Sequence, residues 1–128
     1  ICNQVWMLKN LDVDKYRDGS SIPQATTSAE WTAAAIAGTG AWCYYENNTI
    51  NGTTYGKLYN WYAVNDPRYL APAGWHVPSN GEWHILVKCI NPSADTSINN
   101  YSLKAAAGGS MKETGTAHWN SPNVAISF

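Results

Sequence analysis

Aromatic and polar side chains are interleaved in two neighbouring stretches, Asn60-Trp61-Tyr62 and Asn65-Asp66-Pro67-Arg68-Tyr69. Aromatic rings stack on the apolar face of a sugar, and amides, carboxylates and guanidinium groups bind its hydroxyls. Trp, Tyr and Arg are also the usual anchors of protein interfaces. The alternative is structural, with Trp61 in a core and Asp66 capping a turn. The sequence leaves both interpretations open.

The predicted ligand-binding patch continues into the next loop. Pro72 and Pro78 flank Gly74-Trp75-His76 and reduce the entropy lost on fixing that loop, so its aromatic side chains should be held in place. The full set of candidate ligand-binding residues is Trp61, Asn65, Asp66, Arg68, Tyr69, Trp75 and His76.

Metal binding is less well supported. His76, Glu82 and His84 are ligand types for zinc. On a helix, however, Glu82 and His84 point in different directions, unlike the i, i+4 histidines of a zinc protease. Oxygen ligands for calcium are scattered, without the dense Asp/Asn run of a calcium loop: Asp12, Asp14, Asn65, Asp66 and Asp95. We predict no metal and no cofactor, with calcium as the open alternative.

Catalysis has no convincing constellation. Cys43 or Cys89 with His76 would be the candidate nucleophile and base. Cys43 stands among aromatic residues, where a cysteine usually behaves as a small buried hydrophobe. No two acidic residues are placed convincingly for glycoside hydrolysis. We predict that the chain is not an enzyme and has no catalytic residues.

The composition excludes two classes of partner. Charged residues make up 13% of the 128 residues, and the net charge is −1. Such a surface offers no electrostatic footprint for nucleic acid or an anionic membrane. No apolar run approaches the roughly 20 residues of a membrane span. The length predicts a single domain, residues 1-128.

Two amphipathic helices should position the patch. Apolar residues recur at i, i+3, i+4 and i+7 from Tyr55 to Tyr62 and again from Trp83 to Ile90. Ser79 and Glu82 form a capping box before the second helix. Trp83 is expected in the core, where truncation to Ala costs about 3–5 kcal/mol.

Shorter elements are predicted around these helices. Strands are expected at residues 4–8, 41–45 and 111–114, and one or two helical turns at 28–37. Polar loops are expected at 47–54 and 91–100.

Several blocks of the sequence form a recognisable series: Gln4-Val5-Trp6-Met7, Asp18-Gly19, Ala41-Trp42-Cys43-Tyr44-Tyr45, Tyr55 to Asp66, Gly74 to Ser79 with Glu82-Trp83, and Met111 to Gly115 with His118-Trp119-Asn120. In this order, and over nearly the whole chain, they resemble the Fibrobacter succinogenes major paralogous domain. The resemblance implies a C-type-lectin-like fold, distantly similar to the formylglycine-generating-enzyme group. It also implies an exported, often lipid-anchored or surface-displayed bacterial protein. No residues match the cysteine pair of that enzyme group, so its oxidase activity is not transferred.

Two departures from the family pattern matter. Many relatives have a cysteine where this chain has Ala71. The resemblance implies that this cysteine pairs, in those relatives, with the cysteine that matches Cys43. A bridge from Cys43 would therefore need Cys2 or Cys89, and three cysteines allow at most one bridge. The chains of relatives also continue through further strands after the segment that matches the end of this sequence. We therefore expect that these residues are a fragment of a longer chain, or that another chain completes the sheet.

The sequence thus predicts an α+β, C-type-lectin-like fold. Two short helices would pack on a twisted, mostly antiparallel sheet that is incomplete at its C-terminal end. The predicted function is non-catalytic recognition of a glycan or surface protein, outside a bacterium or on its outer cell surface. The alternative is a structural subunit of a surface filament or adhesin assembly, which would self-assemble.

Overall fold

The computed structural model describes residues 1–94 and 107–119, which form short helices and one small antiparallel sheet, an α+β arrangement. The elements in chain order are helix α1 (Ser28–Ala37), strand β1 (Trp42–Cys43), a 3₁₀ helix (Tyr45–Asn47), helix α2 (Thr49–Tyr55), strand β2 (Leu58–Tyr59), helix α3 (Trp61–Val64) and helix α4 (Asn80–Ile90). Two compact units are present. The central unit is Met7–Val77, and the terminal unit combines Ile1–Trp6 with the described residues from Pro78 onward.

The core of the central unit surrounds the two-stranded sheet. Trp42 of β1 pairs with Tyr59 of β2 in antiparallel register. On its other side, the Trp42 N–H donates to the Pro23 carbonyl oxygen at 3.0 Å. Trp42 is buried, and its indole Nε1–H donates to the Ile22 carbonyl oxygen at 2.9 Å, so the buried polar atom is satisfied. The buried core consists of Tyr16, Ile22, Trp42, Ala63 and Leu70.

Asn60 is a buried polar residue that joins the sheet to α3. Its side-chain oxygen accepts from the Ala41 N–H at 3.0 Å and from the Ala63 N–H at 2.9 Å. Its amide nitrogen donates to the Thr39 carbonyl oxygen at 2.8 Å. Asn60 therefore caps α3 and fixes the start of β1 with the same side chain.

Helix α1 begins and ends with strong signals. Thr27 and Glu30 form a capping box, and Gly38 closes the helix in the left-handed conformation with φ 67°. None of its ten residues is buried. The predicted helix at 28–37 is confirmed and is longer than one or two turns.

The terminal unit is built on α4. The predicted capping box between Ser79 and Glu82 is confirmed, and Leu86 and Val87 are buried. A disulfide joins Cys2 to Cys89, with a Cα–Cα distance of 6.5 Å, and Cys43 is a free thiol. The Gln4 side-chain amide also donates to the Glu82 carbonyl oxygen at 3.2 Å. The N-terminal segment is thus held to α4 by covalent and polar contacts.

The predicted helix from Tyr55 to Tyr62 is wrong. Tyr55 is the last residue of α2, and Gly56 follows with φ 68° and ψ −146°, a conformation that glycine adopts readily and other residues avoid. The chain then extends into β2 before α3 begins. The apolar spacing of this segment is therefore divided among three elements and does not mark one face of a helix.

Other predicted elements also need correction. Residues 47–54 are not a loop, because Asn48 caps α2 by accepting from the Ile50 N–H. Residues 4–8 form no strand, and residues 107–111 are helical where a strand was expected to start at Met111. The strand at 41–45 is confirmed only as Trp42–Cys43. The predicted loop at 91–100 and Asp95 lie partly or wholly outside the described residues.

Trp83 is not a core residue, contrary to expectation. Its side chain is 44% exposed and packs against the Trp6 ring at a centroid distance of 4.9 Å. The apolar repeat of α4 therefore overestimates the buried face, which Leu86 and Val87 provide. None of the helices within the described ranges has the length and apolarity to cross a bilayer.

Candidate functional site

The Asp66 carboxylate and the Arg68 guanidinium form a two-pronged ion pair. Arg68 Nε donates to Asp66 Oδ1 and Arg68 Nη2 donates to Asp66 Oδ2, both at 2.8 Å. Asp66 Oδ1 also accepts from the Arg68 backbone N–H at 2.9 Å, so it caps the turn that follows α3. These hydrogen bonds from Arg68 lower the pKa of Asp66 to about 2. The carboxylate is therefore ionised at neutral pH.

Arg68 reaches back to an earlier turn. Its Nη1 donates to Ser20 Oγ at 3.1 Å, and Ser20 Oγ donates to Asp18 Oδ1 at 2.6 Å. The bonds from Ser20 lower the pKa of Asp18. The Arg68 guanidinium also lies 4.0 Å from the centre of the Tyr16 ring, a cation–π distance. Arg68 is thus fixed on three sides.

Tyr16 supports this arrangement from the core. Its ring is only 3% exposed, and its hydroxyl has no hydrogen-bond partner among the described residues. Burial, followed by the negative charge of Asp66, raises the pKa of Tyr16. The phenol is therefore neutral at physiological pH and acts as a flat support for Arg68.

Arg17 fixes the loop that follows Tyr69. Its Nε and Nη2 donate to the Ala71 carbonyl oxygen at 3.2 and 3.0 Å. Nη2 also donates to the carbonyl oxygens of Pro72 at 3.3 Å and Trp75 at 2.8 Å. The predicted rigidity of the proline-flanked loop thus has a further physical cause, because one guanidinium gathers its carbonyl groups.

Tyr69 is exposed and held in an uncommon backbone conformation. Its φ is 62°, a value that is rare for a bulky residue other than glycine, and its side chain is 61% exposed. The Arg17 backbone N–H donates to the Tyr69 carbonyl oxygen at 3.0 Å, and the Arg17 guanidinium lies 4.8 Å from the ring centre. Arg17 therefore braces an aromatic ring that is open to solvent.

We call Tyr16, Arg17, Asp66, Arg68 and Tyr69 the Arg–Tyr cluster. Two stacked pairs define it, Arg68 with Tyr16 and Arg17 with Tyr69. Sequence reasoning found Asp66, Arg68 and Tyr69 but missed Tyr16 and Arg17, as well as Asp18 and Ser20 beside them. No local pattern in the sequence marks Tyr16 and Arg17, because the residues that they contact, from Arg68 to Trp75, lie more than fifty positions further along the chain.

The other predicted site residues are less closely joined to the cluster. Trp75 is half-buried and contributes its carbonyl oxygen to Arg17. Asn65 ends α3 through its backbone, and His76 lies exposed in the loop. Trp61 is 66% exposed, so it does not lie in the core. Within the described chain, no hydrogen bond or ring contact joins the side chains of Trp61 and Asn65 to the Asp66–Arg68 pair.

A shallow depression of about 380 Å³ borders the cluster. Its lining carries charges of both signs, from Asp12, Asp14, Lys15 and Arg17. The remaining lining residues are Val13, Tyr16, Leu70, Pro72 and Ala73. The depression is therefore lined by charges of both signs where it borders the Arg–Tyr cluster.

Catalytic and metal-binding constellations are not evident in the described ranges. No group of three or more His, Cys, Asp or Glu side chains there could hold a metal ion. Cys43 is half-buried, and burial raises the pKa of its thiol, which disfavours the nucleophilic thiolate. The surface at the Arg–Tyr cluster is polar and aromatic.

The fold and this surface define an α+β domain with an arginine–tyrosine cluster. A family model of the Fibrobacter succinogenes major domain matches residues 1–127. The chain therefore belongs to that family, which confirms the resemblance of its sequence blocks. A comparison with curated proteins found no match, and a comparison with solved structures found none either.

Proposed function

We propose that this chain is a non-enzymatic recognition domain that binds a glycan or a surface protein through the Arg–Tyr cluster and Trp61. The observation that carries the proposal is the Tyr69 ring, which is 61% exposed yet braced by Arg17 at 4.8 Å. An aromatic ring that is both open and fixed loses little conformational entropy when a ligand stacks on it. Sugars and protein anchors both use such rings.

Backbone strain at Tyr69 supports the same proposal. Non-glycine residues with positive φ persist where the surrounding structure holds them, and they are concentrated at binding sites. Tyr69 has φ 62°, and its carbonyl oxygen accepts a hydrogen bond from the Arg17 backbone N–H at 3.0 Å. Its own N–H donates to the Asp66 carbonyl oxygen at 2.9 Å. A residue needed only for solubility would not require this conformation.

We also propose a C-type-lectin-like fold and a location outside the bacterial cell or on its outer surface. The family resemblance supports both. The Cys2–Cys89 disulfide is consistent with an oxidising compartment, because cytosolic proteins rarely keep structural disulfides. Fractionation of the native organism, followed by thiol labelling without reductant, tests the location. Recovery of the protein in the cytosol with all three thiols free would contradict it.

The binding test uses a glycan array followed by calorimetry with the strongest hit. Tyr69→Asn removes the ring while keeping a residue that tolerates positive φ, and we expect at least about ten-fold weaker binding. Trp61→Ala should also weaken binding and leave the fold intact, because Trp61 is 66% exposed. Tyr45→Ala is the matched control, since Tyr45 is a 51% exposed aromatic outside the cluster. Wild-type affinity in Tyr69→Asn would overturn the proposal.

Helix α1 favours a second candidate function, assembly into a surface filament or adhesin array. None of its residues is buried, and Ile36 is 84% exposed. A subunit that packs on a neighbour would cover such a helix. Light scattering over a range of concentrations should then show a growing mass that Ile36→Asp abolishes and Thr32→Asp does not. A constant monomer mass would exclude assembly.

A further inference from the structure

The guanidinium groups of the Arg–Tyr cluster have internal partners. Arg68 is engaged by both oxygens of Asp66 and by Ser20 Oγ. Arg17 donates to the carbonyl oxygens of Ala71, Pro72 and Trp75. Bidentate and charge-assisted bonds of this kind are the strong ones in proteins, so a ligand carboxylate would have to compete with them.

Charges around the cluster are balanced. Lys57 pairs with Asp12 and also lies over the Trp42 ring at 4.8 Å. Asp14 and Lys15 line the same depression with opposite charges. A ligand carboxylate at this surface would therefore meet as many negative as positive groups, among them Asp66, which stays ionised because its pKa is about 2.

We propose that the ligand of the Arg–Tyr cluster is an uncharged saccharide, an inference that rests on the proposed function. Tyr69 supplies a fixed stacking face, and stacking does not depend on ligand charge. Lone pairs of the Asp66 and Asp18 carboxylates accept hydrogen bonds from sugar hydroxyls. An acidic sugar would bring its carboxylate close to these carboxylates and lose hydration, and the guanidinium groups it would meet already donate to Asp66, Ser20 and backbone carbonyl oxygens.

The decisive comparison uses wild-type protein and an array that presents each uronic-acid oligosaccharide beside its methyl ester, together with neutral oligosaccharides. We expect neutral sugars and methyl esters to bind at least about ten-fold more tightly than the free acids. Affinity for the neutral ligand should change less than about two-fold between roughly 0.05 and 0.5 M salt.

A variant tests the role of the ion pair directly. Asp66→Asn removes the negative charge that neutralises Arg68, so the free acids should gain about ten-fold in affinity. Glu46→Gln is the matched control, because it makes the same change in net charge at an exposed residue outside both the Arg–Tyr cluster and the depression. We expect less than about two-fold gain for the control. An equal gain in both variants would show that the pair does not set the preference.

The outcomes separate the inference from the proposed function. Tighter binding of the free acids, weakened by salt, would overturn the inference while recognition of glycans stands. Absence of binding to every sugar on the array would overturn the inference and the glycan function together. Preference for neutral sugars that Tyr69→Asn abolishes would support both.

Discussion

The Arg17 guanidinium lies 4.8 Å from the centre of the Tyr69 ring, although the two residues are far apart in the sequence. Their neighbours form a second pair, in which Arg68 lies 4.0 Å from the Tyr16 ring. The backbone N–H of Arg17 also donates to the carbonyl oxygens of Arg68 at 3.2 Å and Tyr69 at 3.0 Å. The dipeptides Tyr16-Arg17 and Arg68-Tyr69 are thus joined by stacking and by main-chain hydrogen bonds. Each arginine stacks on the tyrosine of the other dipeptide.

Arg17→Lys should loosen the loop from Ala71 to Trp75. Lysine lacks the planar fork that reaches several carbonyl groups at once, so we expect a loss of about 1–3 kcal/mol in the free energy of unfolding. Urea denaturation followed by Trp fluorescence measures it. Lys9→Ala, another cation on the same unit, should change stability by less than about 0.5 kcal/mol. Equal effects in both variants would contradict the role given to Arg17.

Asp66 should contribute to stability above acidic pH. Its pKa falls from 3.8 to about 2 on folding, so its contribution is fully present above about pH 4 and is lost as the pH falls towards 2. The melting temperature of the wild type should therefore drop over this range more steeply than that of Asp66→Asn. Parallel pH profiles of the two proteins would refute the assignment. The comparison with the variant is needed because Asp18 and Glu30 also have lowered pKa values.

Reduction of the Cys2–Cys89 disulfide should destabilise the protein. Cross-links that close long loops contribute about 2–4 kcal/mol, and this one spans 87 positions of sequence. Cys2→Ser should lower the free energy of unfolding by a similar amount. Cys43→Ser leaves the bridge in place, so a reductant should destabilise this variant as it destabilises the wild type. Alkylation of the unfolded, unreduced protein should modify one thiol, that of Cys43. Modification of three thiols would disprove the bridge.

Gly40 should not tolerate a side chain, because Tyr16 fills the space. A Cβ on Gly40 would overlap the Tyr16 hydroxyl and would lie 3.1 Å from the Ala63 Cα. We expect Gly40→Ala to cost about 1–3 kcal/mol. Tyr16→Phe removes the obstructing hydroxyl, which lacks a partner among the described residues, and should recover part of that loss. Additive effects in a double-mutant cycle would contradict the steric explanation.

Trp83→Ala should cost less than a core deletion. The side chain is 44% exposed and retains one ring contact with Trp6, so about 1–2 kcal/mol replaces the 3–5 kcal/mol expected from sequence. Leu86→Ala, at 2% exposure, should cost about 2–5 kcal/mol and provides the comparison on the same helix. Thermal melts of both variants show which substitution causes the larger loss of stability. A larger loss in Trp83→Ala would show that Trp83 is more deeply packed than its exposure indicates.

The sequence predicted features that depend on residues a few positions apart. The Ser79–Glu82 capping box is of this kind and is confirmed. The turn capped by Asp66 is also of this kind and is present, although the sequence offered it only as the structural alternative to a ligand-binding role. Helix α2 and the break at Gly56 were missed because periodicity alone does not reveal a positive φ. Arg17 was missed for another reason: its partners Ala71 and Trp75 are more than fifty residues away, and only the folded chain brings them together.

The disulfide also changes the topology of the chain. Because Cys2 is joined to Cys89, the backbone between them is a covalent macrocycle that contains the whole central unit, Met7–Val77. A protease that cuts one peptide bond inside this ring opens it without separating two fragments. The nicked protein releases no fragment until the disulfide is reduced, so the two segments that carry the Arg–Tyr cluster stay in one covalent molecule after a single cleavage inside the ring.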